Sequence, residues 1–187
     1  MKFQSMFHYL GGFVVLVLAL SMGSSTSSAQ SADSEQISSL MLQAKSHAMH
    51  AEDDAATLDS YARSKLTWQS HASQLEKIKV HINELGKLNK QLGDVRNEGS
   101  PWQQTAIDQV DVRLRELADL LTRTINHMND HPSQIHMLPY REYVKANYQL
   151  TSRITEMIND FVDYDQAKST AETLEQKLEL PAAQGAD

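Results

Sequence analysis

The chain has 187 residues, no cysteine, and a formal net charge of −7 from 17 basic and 24 acidic side chains. Without cysteine there are no disulfides, no covalently attached c-type haem, and no lipid attachment through an N-terminal Cys. The acidic balance argues against nucleic acid or an anionic membrane as partner, because both need a basic stripe.

Residues 1–12 are weakly basic, with Lys2 their only charged side chain, and an apolar run follows at 13–20. Ser27 and Ala29 then satisfy the small-x-small cleavage rule, so residues 1–29 read as a secretory signal peptide cut after Ala29. A membrane anchor needs roughly 20 apolar residues. The most generous count here, residues 10–22, gives 13. The expectation is a periplasmic or secreted protein with no stable membrane span after cleavage. Its mature chain has 158 residues and a net charge of −8, enough for one domain. That domain is expected over 30–180, followed by a disordered tail at 181–187.

No stretch shows sustained apolar alternation with β-branched enrichment, so the class is all-α. Helix one opens at Asp33 or Ser34 and ends between Tyr61 and Leu66. Its apolar positions are Ile37, Met41, Ala44, Ala48, Ala51, Ala55, Leu58 and Ala62, a seven-residue repeat. The middle of this seam is alanine only, which predicts close approach of a neighbouring helix. Thr67 is the expected cap of helix two, whose seam runs Trp68, His71, Leu75, Ile78, Ile82, Leu85, Asn89 and Leu92.

The stretch Asn97-Glu98-Gly99-Ser100-Pro101-Trp102 joins helices two and three. Gly99 is expected in the left-handed conformation that ends a helix. Ser100 caps the next helix, with Pro101 at its first position and Gln103 three residues past the cap. Helix three carries Ile107, Val110, Leu114, Leu117, Leu121, Thr124 and Met128, and stops before Pro132. Pro139 opens helix four, with the expected seam Tyr143, Asn147, Leu150, Ile154, Met157, Phe161 and Tyr164. The spacing slips at Ala167 and resumes at Ala171, Leu174 and Leu178. Three helices near 30 residues span about 45 Å each, and helix four overshoots them by about ten residues. The predicted architecture is an up-down-up-down antiparallel four-helix bundle with a longer fourth helix.

Seven histidines follow the signal peptide. Counting rise per residue from the Thr67 end puts His47, His50 and His81 level on adjacent helices, about 20 Å down. His71 and His127 stand at the Thr67 end, with His131 and His136 in the loop above them. His127 and His131 are four apart, the spacing that places two imidazoles on one helix face for zinc or copper. His71, His127, His131 and His136 are therefore the candidate metal ligands. The plainer reading takes flanking histidines as solvated or carboxylate-paired, and His71 as a hydrogen-bonded core residue. Trp68 and Trp102 are expected to plug the bundle ends. Tyr140, Tyr143, Tyr148 and Tyr164 are expected at the core boundary.

Catalytic patterns are missing from the sequence. It has no pair of Glu-x-x-His helices for a di-iron centre, no Gly-x-Ser-x-Gly and no phosphate-binding Gly-rich loop. The reading is a non-enzymatic exported bundle with a binding or structural role in a bacterial-type cell envelope. Its partner would be another envelope protein or a second copy of the chain, and no cofactor is required. The alternatives are a periplasmic zinc, copper or haem binder using the four histidines, and a holdase-type chaperone.

Overall fold

The computed structural model describes residues 33–178. The expected signal peptide, its cut after Ala29, and the tail at 181–187 lie outside the described residues. All regular structure among the described residues is helical: α1 (Glu35–Ala62), α2 (Trp68–Val95), α3 (Pro101–Asp130) and α4 (Leu138–Lys177). Short 3-10 turns at Arg96–Glu98 and Pro132–Gln134 lie in the connections after α2 and α3. No described helix is long and apolar enough to cross a membrane.

Local chemistry sets the helix ends. Ser34 accepts from the Ile37 N–H and Thr67 from the Ser70 N–H, each satisfying a backbone donor that has no partner within the helix. The turn between α2 and α3 differs from expectation. Gly99 has φ −87° and ψ 159°, ordinary extended backbone, so it is not a left-handed terminator. Glycine is needed there because of crowding. A Cβ at Gly99 would lie 2.6 Å from Cδ1 of Ile37 and 3.1 Å from Cβ of Gln103.

That close approach lets Gln103 act as a knot. Its Oε1 accepts from the N–H groups of Ser34 (2.8 Å) and Ser100 (3.1 Å). Its Nε2 donates to the Ser34 carbonyl (3.1 Å) and Ser38 Oγ (3.3 Å). The side chain is fully buried and ties the starts of α1 and α3 together. Beside it, Trp102 Nε1 donates to Asp33 Oδ1 at 2.7 Å and Lys168 of α4 donates to Asp33 Oδ2. Burial alone would raise the Asp33 pKa. Lys168, Ser100 and Trp102, in that order, outweigh that and hold the carboxyl below its usual range.

α1 packs against α2 and α4, and α3 packs against the same two helices. Touching residues run in opposite order along each pair. His47 meets His81 while Asp54 meets Gln74, and Lys45 meets Asp163 while Ala48 meets Thr155. Asn89 meets Asp111 while Arg96 meets Asp108, and Trp102 meets Tyr164 while Thr124 meets Asn147.

The expected seams of α1 and α3 are buried throughout. In α2, Trp68 heads the seam but is 41% exposed, so it does not plug the bundle end. In α4 the buried face is Tyr140, Val144, Asn147, Leu150, Thr151, Ile154, Thr155, Ile158 and Val162. Tyr143, Met157 and Phe161 are only half-buried, and Tyr164 is exposed. The face turns because two threonines take core positions. Each hydroxyl bonds the carbonyl four residues back, Thr151 to Asn147 and Thr155 to Thr151, so neither costs an unpaired buried donor. Thr155 also reaches the Ala48 carbonyl at 3.1 Å, across the small side chains of α1.

Replacing Gln103 with Ala is expected to destabilise the protein by about 2–3 kcal/mol, since buried backbone groups of Ser34 and Ser100 lose their partner. Urea unfolding followed by circular dichroism measures this, and a loss below the scatter of surface substitutions would refute the knot.

Candidate functional site

The histidines fall into two clusters. The first is at the Thr67 end. His71, on the first turn of α2, is fully buried, and its Nδ1 lies 3.1 Å from the Tyr140 hydroxyl. Tyr140, the residue directly after Pro139 in the first turn of α4, is itself fully enclosed. Its ring packs near two imidazoles, 5.4 Å from His71 and 6.3 Å from His127. His127 also leans on His131 at 5.1 Å, and His136 meets His71 edge-on at 6.4 Å. The four expected histidines therefore gather at one end, with His71 inside, His127 half-buried, and His131 and His136 exposed.

Burial pushes the His71 pKa down, and the nearby His136 adds to the effect. Burial also pushes the Tyr140 phenol well up, so it stays a neutral hydroxyl. The Nε2 atoms of His71 and His127 are buried without a hydrogen-bond partner in the fold. The sequence singled out His71 but not its partner, since Tyr140 read as one of several boundary tyrosines. The usable signal was the four-three-four spacing of Tyr140, Val144, Asn147 and Thr151.

The second cluster is at mid-height between α1 and α2. His47 and His81 face each other with their Nδ1 atoms 3.3 Å apart. His50 stacks on His81 with ring centroids at 5.2 Å. Behind His81, Asp54 Oδ2 lies 3.8 Å from Nε2. Asp54 is fixed by the buried Gln74, whose Nε2 donates to Asp54 Oδ1 (2.8 Å) and to its main-chain carbonyl (2.9 Å). Burial lowers the His81 pKa; Asp54 opposes the shift, and His50 and His47 reinforce it. Gln74 carried no sequence signal, because a glutamine beside an apolar seam reads as surface.

Among the described residues no group of three or more His, Asp or Glu side chains stands ready to hold a metal ion. A groove of about 520 Å³ runs between α2 and α3, floored by Leu75, Ile82, Leu121, Ile125 and Met128, with no histidine on its walls. Comparison with protein-family models, curated proteins and solved structures finds no match to this chain.

His71 and His81 both have folded pKa values below the unfolded value near 6.5, so the unfolded chain binds more protons. Their contribution to stability is intact above about pH 6.5 and is lost as pH falls from there through the folded values. His71→Gln is expected to flatten the pH dependence of the urea midpoint between about pH 7 and 5. An unchanged slope would show that His71 takes up its proton without cost.

Proposed function

We propose that this chain is an exported, non-enzymatic helical bundle that binds a protein partner in a bacterial-type cell envelope, in the periplasm or outside the cell. We further propose the up-down-up-down antiparallel four-helix topology with a longer fourth helix. The opposed order of touching residues on all four helix pairs supports it. Export rests on the leader-like residues 1–29.

The far end of α4 carries the functional reading. No residue of α4 after Val162 is buried, yet the helix continues to Lys177. Tyr164, Ala167, Ala171, Leu174 and Leu178 keep the three-four spacing of a coiled-coil seam, with Leu174 50% and Leu178 62% exposed. An exposed apolar seam on a projecting helix is suited to a partner helix. Its flanks are acidic, with Asp165, Glu172 and Glu175 against Lys168 and Lys177, while Asp163 is paired with Lys45. Lys168 is already engaged by Asp33. The seam therefore favours a partner helix with basic flanks over a second copy of this chain.

The expectation is that a photo-crosslinker at Leu174 captures one envelope protein with such a helix, and that Leu174→Asp with Leu178→Asp abolishes capture without changing the melting temperature. Light scattering of the purified protein should show a monomer. A dimer lost in the double variant would place a second copy on the seam instead. Crosslinks that persist in the double variant would remove the seam from the account.

A further inference from the structure

The mid-height histidines bring two ring nitrogens together at a half-open edge between α1 and α2. Two neutral imidazoles can share one N–H···N bond, and the Nδ1 atoms of His47 and His81 are within reach of one. The observed separation of the His47 and His81 Nδ1 atoms is 3.3 Å. Two nitrogens bound to one tetrahedral zinc at about 2.0–2.1 Å would be about 3.3–3.4 Å apart. We infer that His47 and His81 form a two-nitrogen clamp for a zinc or copper(II) ion between α1 and α2.

A second observation points the same way. A metal-bound histidine usually directs its other ring nitrogen at a carboxylate, which fixes the tautomer and makes the ligand more basic. His81 faces Asp54 through Nε2, and Asp54 is anchored from behind by the buried Gln74. Gln74, Asp54, His81 and His47 thus form a chain from the α2 core, through α1, to the open edge. An ion joining the clamp would draw Nε2–H toward Asp54 from its present 3.8 Å. His47 and His81 are half-exposed, so an ion enters from solvent, and water fills the coordination positions the protein leaves open.

The end cluster is a weaker claimant to the same ion. His71 has its Nδ1 committed to Tyr140 and is fully buried, closed to an ion arriving from solvent.

The test is calorimetric titration of the full-length protein with zinc chloride, and separately with copper(II) chloride, in a non-chelating buffer near neutral pH. One ion per chain is expected. His47→Gln and His81→Gln should each weaken binding by about tenfold or more, and Asp54→Asn by about tenfold, the scale for removing a carboxylate behind a metal-bound histidine. His127→Ala with His131→Ala should leave binding unchanged. Copper(II) electron paramagnetic resonance gives a readout on the unmodified protein, so a variant that misfolds does not decide the matter. At least two nitrogen couplings are expected there, and fewer would overturn the clamp. Absence of saturable binding would overturn it, as would binding lost in the His127 and His131 variant but kept in His47→Gln.

Discussion

The carboxamide of Gln103 fixes the register on which the rest of the structure depends. It holds the first turn of α1 to the first turn of α3, and the adjacent Asp33 brings in α4 through Lys168. A slip of one residue along α1 would shift its side chains by about 1.5 Å and swing them by about 100°. His47 would then leave His81, and Ala48 would leave Thr155. Contacts more than two turns above the knot inherit their geometry from it, because a helix transmits register without loss.

The same side chain behaves differently at two heights. At the Thr67 end, His71 is enclosed, bonded to a phenol that cannot ionise near neutral pH, and kept uncharged by burial. At mid-height, His47 and His81 are half-open, and a carboxylate stands behind one of them. The first arrangement contributes packing and makes the fold sensitive to acid. The second leaves two nitrogens with lone pairs or protons to exchange with solvent. Between these levels run Asn147, Thr151 and Thr155, a polar spine inside α4 whose donors bond backbone carbonyls or Thr124. Such buried polar contacts disfavour slipped packings, in which the same groups would be left unpaired.

Much of the fold was legible because the seams of α1 and α3 repeat apolar residues without interruption. Helix ends were legible where a cap residue or proline stands, at Ser34, Thr67, Pro101 and Pro132. The seam of α4 was misread because Thr151 and Thr155 look polar, while Tyr143, Met157 and Phe161 look like core. Side chains that bond their own helix carry their partner with them, and a hydropathy pattern does not record that. Gly99 was misread because a glycine demanded by a neighbour across the fold is indistinguishable in sequence from one demanded by its own backbone. Helical rise alone placed His47, His50 and His81 level, but the facing of two Nδ1 atoms depends on rotamers and interhelical distance.

Interhelical distance returns attention to the alanines of α1. Ala44, Ala48, Ala51 and Ala55 bury little area each and would rank low in any sum of hydrophobic contributions. Yet they are already nearly as small as a helical side chain gets, so almost every substitution adds volume. Overpacking a tight seam costs typically about 1–3 kcal/mol per site. Along this seam, mutational tolerance is therefore not expected to follow buried area. Its alanines would accept few replacements despite their small area, and drift in α1 would be confined to its outer face.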